Sequence, residues 1–341
     1  MINLYSQLQN RIKFQPLNWL VSGGAGFIGS HVVEQLLALG QQVRVLDNHF
    51  SSTPRNLEQV GELVGSDAIK RLDLMMGDIR EMNTCAAALQ DIDQVIHLAA
   101  LGSVPLSLEE PMLSHEINAT GTLNLMLAAR KAGLKRFVYA SSSAVYGDDP
   151  LPTKCEHSLG RALSPYAATK YVDEIYAATM HAAYGFEPVG LRFFNVFGPR
   201  QDPNGPYAAV IPCWIDLMTK GESVYINGDG GNTRDFCFVK DVVQAILLAS
   251  CTKNADAFGK AFNVGLGRAT DLNELFETLR GLVQKRTGKR VADVIYRTIR
   301  PGDIRHSCAN ISLITGVLGF KPEHTVASGL RETVAAMANK S

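Results

Sequence analysis

The chain has 341 residues, 46% of them hydrophobic and 19% charged, enough for one large α/β domain or for a nucleotide-binding domain with a smaller companion. Thirty-three basic residues cancel thirty-three acidic ones, so there is no global field to draw nucleic acid or an anionic membrane. Six cysteines (Cys85, Cys155, Cys213, Cys237, Cys251 and Cys308) form no Cys-x-x-Cys pair, and the histidines show no His-x-x-x-His spacing. That usage predicts reduced thiols in a cytoplasmic protein and no metal site. No run approaches the apolar length of a membrane span.

From the N-terminus, Leu4, Tyr5, Leu8 and Ile12 recur at helical spacing, which predicts a short helix packed on the first strand. Apolar runs bounded by turn residues follow at Trp19–Val21, Val43–Leu46, Val95–Leu98, Phe137–Ala140 and Pro188–Phe194. Such runs suit strands buried on both faces of a parallel sheet. Helical patterns lie between them at Ile28–Leu39 and Ile117–Ala132, the second able to begin earlier because Pro111 suits a first helical turn. This alternation predicts an α/β fold with a Rossmann-like, doubly wound parallel sheet. The rhythm breaks after Asn195, where Pro199–Tyr207 reads as a loop. Residues 1–195 are therefore expected to form the dinucleotide-binding domain. Residues 196–341 are expected to form a smaller mixed α/β substrate domain, interleaved with the end of the sheet.

Trp19–Ser22 leads directly into Gly23-Gly-Ala-Gly26-Phe27-Ile28-Gly29 and then a helical pattern. Glycines here let the backbone turn tightly and approach a pyrophosphate seated on the positive end of the helix. Asp47, with Asn48 beside it, ends the next strand, where a carboxylate can hold both adenosine ribose hydroxyls and repel a 2′-phosphate. NAD is thus expected rather than NADP. His97-Leu-Ala99-Ala100 ends a further strand, where ligands bind in open α/β sheets.

Tyr166 and Lys170 lie four apart in a segment of helical character, which puts both on one face. A phenol ionises near ~10 in water, so it serves as a base at neutral pH only beside cations. Upstream, Ser141, Ser142 and Ser143 place hydroxyls at the C-terminal end of a strand, suited to hold or relay a proton. In this order, after the glycine-rich turn, these features resemble the extended short-chain dehydrogenase/reductase family over essentially the whole length. The resemblance implies that Tyr166 is the catalytic base, that Lys170 anchors the nicotinamide ribose, and that Ser142 assists, with Ser143 as second candidate. It also implies that Asp78 and Ile79 recognise adenine and that Ala99 and Ala100 line the cofactor.

Sugar dehydratases of the family carry Asp-Glu right after the assisting hydroxyl, and decarboxylases carry a Glu in this stretch; here stand Ser143 and Ala144. A site without an added acid can oxidise a carbinol and return the hydride, which is what a 4-epimerase needs. The substrate half resembles epimerases at Asn195-Val-Phe-Gly198 (diphosphate), Tyr225-Ile-Asn227 (uracil), Arg234, and Arg300 with Asp303 (phosphate and ribose). Guanidinium suits a diphosphate through bidentate charged donors. Gly102 and Ser103 lie in a loop resembling that of bacterial UDP-N-acetylglucosamine 4-epimerases of surface-polysaccharide synthesis. Ser307, seven residues after Arg300, is small where epimerases of non-acetylated sugars have tyrosine, and is the candidate N-acetyl gate. A uronic-acid sugar, UDP-glucuronate or UDP-N-acetylglucosaminuronate, is the competing substrate; its carboxylate would need a nearby cation, such as Arg200, or several donors. A non-catalytic NAD-binding protein is the competing class, and the intact tyrosine and lysine argue against it. The resemblance further implies a homodimer formed through the helices containing Ile117–Ala132 and Tyr166–Tyr184.

Overall fold

Seven short strands pair into a single parallel sheet in a computed structural model that describes residues 4–204, 208–298 and 304–338. They are β1 Asn18–Ser22, β2 Gln42–Asp47, β3 Leu72–Met76, β4 Gln94–His97, β5 Arg136–Ser142, β6 Glu187–Phe193 and β7 Lys260–Val264. Their order is β7-β6-β5-β4-β1-β2-β3, every neighbour parallel. The direction of winding reverses between β1 and β4, which makes their C-terminal ends the binding crevice of such a sheet.

The apolar runs become strands because both faces are covered. Leu20 joins Val95, Phe137 and Tyr139 in one core, under helices Gly121–Lys131 and Pro165–Tyr184. Its neighbours Trp19 and Val21 join Ile96, Val138 and Leu191 in the opposite core, under helices Phe27–Ala38 and Val239–Cys251. A period of two sends successive side chains to opposite layers. A third core, including Ile211, Trp214, Ile226, Phe236, Leu275 and Leu330, fills the smaller part built from the second half of the chain.

Two strands lack the sequence pattern of the other five. β3 is an edge strand with Asp73 and Leu74 exposed, so no continuous apolar run marks it. β7 carries the buried Asn263, whose amide donates to Lys154 and Asn310 carbonyls and whose Oδ1 accepts from the Tyr146 hydroxyl. The N-terminal helix, Leu4–Lys13, buries Tyr5, Leu8 and Ile12, but its principal neighbour is helix Val239–Cys251 rather than β1. That correction has a physical cause: β1 is already covered on both faces, whereas Val239–Cys251 is buried almost all round and needs a cover. Among the described residues no helix is long and apolar enough to cross a membrane.

A buried ion pair locks helix Pro165–Tyr184 to the sheet. Arg192 on β6 donates from Nε and Nη2 to the two carboxylate oxygens of Glu174, at 2.9 and 2.7 Å, and from Nη1 to the Tyr146 hydroxyl at 2.9 Å. Ser141 on β5 donates to the same carboxylate. Replacing Arg192 alone strands a buried carboxylate, so Arg192→Met should lose ~3–5 kcal/mol in urea unfolding. The double variant Arg192→Met/Glu174→Met should recover more than half of it. A single variant costing under ~1 kcal/mol would show that the pair carries no such weight.

Candidate active site

The turn after β1 is shaped by what a side chain would strike. Gly23 has φ +72°, and a Cβ on it would lie 2.5 Å from the Ala99 backbone nitrogen. Gly29 likewise allows helix Phe27–Ala38 to sit against the carbonyl of Gly23. Gly26 caps that helix without any side-chain hydrogen bond, so the first-turn N–H groups at Phe27 and Ile28 are left to an external anion. Gly23, Gly26, Asp47, Asn48, Asp78, Ile79, Ala99 and Ala100 line one cleft at the C-terminal ends of β1, β2, β3 and β4.

Asp47 is nearly buried there. Its Oδ2 accepts from the Ala25 N–H at 3.0 Å and its Oδ1 from the His49 N–H and the Ser52 hydroxyl, both at 2.9 Å. An ionised carboxylate has about four acceptor sites, so this clamp fixes it in place and leaves capacity for a ligand. Arg80 donates to Asp78 and holds its carboxyl below the usual range, while the Asn48 amide donates to the same group at 2.9 Å. Ile79 is buried against Gly121, where a Cβ would come within 2.6 Å of Ile79 Cδ1.

The chemical groups gather on the neighbouring strand end and helix. Ser142 ends β5, and its hydroxyl accepts the Ala144 N–H at 3.1 Å; Ser143 opens the short turn Ser143–Tyr146. Ser141 is turned away, buried on Glu174, which leaves Ser142 and Ser143 as the site hydroxyls. Helix Pro165–Tyr184 begins at the Ser164 cap with Pro165 at its first position, so Tyr166 stands in the first turn and Lys170 one turn later. Lys170 is only 2% exposed.

Asn118 was not singled out from the sequence, yet it fixes the loop that carries Gly102 and Ser103. It accepts from the Leu101 N–H at 2.8 Å and donates to the Leu101 carbonyl and the Thr169 hydroxyl. It lies in a one-turn π-helical bulge, Glu116–Thr120, that interrupts the helical run from Pro111 to Lys131. Ser107 adds a second tie by accepting the Tyr166 N–H at 3.1 Å. Gly102 and Ser103, between these anchors, are thereby held beside the helix of Tyr166; Ser103 caps helix Val104–Glu109, and Gly102 faces open space. No local signal in the sequence marks Asn118, because its partners Leu101 and Thr169 lie 17 and 51 residues away.

A second cleft collects the segments of the smaller part. Asn195, Tyr225, Asn227 and Arg234 line it together with Gln201 and Trp214, which sequence reasoning passed over. Asn195 takes φ +27°, and its amide donates to the Asp235 carbonyl at 3.1 Å. Arg234 and the nearly buried Ser307 are register partners on adjacent parallel strands, Thr233–Arg234 and His306–Ala309. Arg300 and Asp303 lie outside the described residues.

Residues 19–265 match the NAD dependent epimerase/dehydratase family. The chain belongs to that family. A UDP-glucose 4-epimerase of Mycolicibacterium smegmatis is 34% identical over 324 residues, covering 94% of this chain and 99% of its own length. The solved UDP-N-acetylglucosamine 4-epimerase of Methanobrevibacter ruminantium, in complex with UDP-N-acetylmuramic acid, is 38% identical, with a TM-score of 0.86 over 96% of this chain and 99% of that one. A Thermus thermophilus UDP-glucose 4-epimerase in complex with NAD is 34% identical, with a TM-score of 0.81 over 95% and 100%. NAD is the cofactor of this epimerase/dehydratase chain, and the cradle fits it: glycines where a Cβ would collide, free helix N–H groups and a fixed carboxylate. Gly23→Ala strains a left-handed residue by ~1–2 kcal/mol and drives a methyl onto Ala99, so NAD binding should weaken by at least about tenfold in a calorimetric titration. Undiminished affinity would exclude this turn from the cofactor site.

Proposed function

We propose that the chain interconverts UDP-N-acetylglucosamine and UDP-N-acetylgalactosamine at C4. UDP-sugar 4-epimerase activity follows from the family and from relatives alike over nearly the whole chain; the acetylated substrate is our inference. The observation that carries the reaction type is the turn Ser143–Tyr146, which presents hydroxyls and carbon but no carboxylate beside the site. Elimination and decarboxylation need such an acid; reversible oxidation does not.

NAD, when bound, would supply the acceptor and then the donor for the hydride at the sugar C4. The Tyr166 phenolate accepts the O4 proton as the C4 hydride leaves and returns a proton to O4 after the 4-keto sugar has turned over. Lys170, buried one helical turn away, supplies the positive charge that favours the phenolate and a donor for the nicotinamide ribose. Ser142 and Ser143 hold O4 by hydrogen bonding. Asn195, Arg234 and the backbone around Tyr225 and Asn227 hold the UDP, so the sugar can rotate about a fixed diphosphate.

Ser307 supports the acetylated sugar, since it is the register partner of Arg234, which lines the cleft, and is far smaller than a tyrosine. Arg200 argues against a uronic acid. Its guanidinium is nearly buried and committed to Glu34 at 2.6 Å and to the Ser30 hydroxyl at 3.0 Å, so it is not free for a sugar carboxylate. We also propose a homodimer, because helix Pro165–Tyr184 leaves Tyr171 and Ile175 exposed and the helices beside it expose Leu108 and Met112.

The purified protein, given no added cofactor, should convert UDP-N-acetylglucosamine faster than UDP-glucose or UDP-glucuronate, as separated epimers will show. Tyr166→Phe should lower kcat by about 100- to 10,000-fold. Ser307→Tyr should cost the acetylated substrate far more than UDP-glucose; equal losses remove the gate, and preference for UDP-glucuronate overturns the substrate assignment.

A further inference from the structure

The buried side of Lys170 faces a carboxylate that no step above uses. Asp173, three residues on in the same helix, is 1% exposed, and its Oδ2 stands 3.4 Å from Lys170 Nζ. That is longer than the ~2.7–2.9 Å of a tight charged hydrogen bond. The hydroxyl of Thr122, on helix Gly121–Lys131, faces the same carboxylate. Thr122 in turn meets His97 Nε2 at 2.9 Å, and His97 Nδ1 meets the Ser22 hydroxyl at 2.6 Å. A line of buried polar groups therefore runs from the end of β1, through β4, to Lys170; it is open at Asp173, whose Oδ1 is buried and accepts no hydrogen bond.

We propose that Asp173 is a positioning residue of this enzyme, one that holds the Lys170 ammonium from behind and, by its charge, sets the pH range in which Tyr166 and Lys170 work together. The inference rests on the epimerase reading of Tyr166 and Lys170. Every ionisable group facing Asp173 fits it. Lys170 is the cation opposite. Glu174, the next residue, is bound by Arg192 and Ser141 and adds negative charge. The phenol of Tyr139 on β5 is held neutral by burial, its pKa well above the usual value. His97 is pushed down to about 3 by burial and so stays neutral. Burial pushes the Asp173 carboxyl up to about 7, against the pull of Lys170 and Thr122. Near neutrality this group is therefore changing charge beside the lysine.

Ionised Asp173 offsets the charge that Lys170 presents to Tyr166, so the phenol keeps its proton to higher pH. The same anion favours the ammonium, so Lys170 also keeps its proton to higher pH. Removing the charge moves both events toward acid.

The test is the pH profile of kcat/KM for UDP-N-acetylglucosamine with the holoenzyme and its Asp173→Asn variant. Both limbs of the variant's bell should shift to lower pH by about half a unit to one unit. Ultraviolet difference titration of phenolate, referenced to Tyr166→Phe, should show Tyr166 ionising at correspondingly lower pH. Thr122→Val, which removes the hydroxyl that favours the Asp173 anion, should move the profile the same way by less, and it decides the matter if Asp173→Asn does not fold. A merely structural Asp173 would lower kcat evenly with neither limb nor titration displaced, and that result overturns the proposal. If the wild-type protein epimerises no UDP-sugar, the epimerase reading falls, while the Tyr166 titration still decides on Asp173.

Discussion

The backbone of Gly23 lies against the backbone of Ala99, and the rest of the site depends on that contact. It occurs where β1 and β4 part and the sheet reverses its winding. A parallel sheet opens a crevice there without any special residue, but a crevice becomes a dinucleotide cradle only if two chain segments approach within backbone distance. Glycine at position 23 permits the approach through its left-handed φ and its missing Cβ. The floor of the cleft at Ala99 and Ala100 follows from it, while Asp47 is aimed by its own clamp of Ala25, His49 and Ser52.

The substrate side is built by a different principle. Tyr166 and Lys170 are fixed by one helix, but that helix is registered against the sheet by buried polar groups, not by apolar packing alone. Arg192, Glu174, Ser141 and Tyr146 tie its outer part to β5 and β6; Asn118 and Ser107 tie its first turns to the loop carrying Gly102 and Ser103. Buried polar networks specify geometry because each member must find its partner or be left desolvated. An active site that moves a hydride needs such geometry, since small misplacement of reacting groups costs rate steeply.

What could be read from the sequence divides along the same line. The glycine turn, Asp47, and the Tyr166–Lys170 pair are local patterns whose spacing is dictated by a turn or a helix, and the structure places them as that spacing requires. Five strands were legible because burial on both faces demands unbroken apolar runs. β3 was not, since an edge strand may expose Asp73, nor was β7, whose Asn263 is satisfied by partners far along the chain. Asn118, Asp173 and Arg192 have no local signature; each has meaning only through residues tens of positions away or buried with it. The cleft of Asn195, Tyr225, Asn227 and Arg234 is assembled from very short strands with no period to read, so family likeness alone pointed to it.

The central claim is that one hydrogen leaves C4 and returns to the same carbon from the other side, with Tyr166 handling only the proton. UDP-N-acetylglucosamine deuterated at C4 tests it most directly. The account predicts UDP-N-acetylgalactosamine that keeps its deuterium at C4 in ordinary water, with no accumulation of free NADH. Loss of the label to solvent, or NADH released in proportion to product, would contradict it.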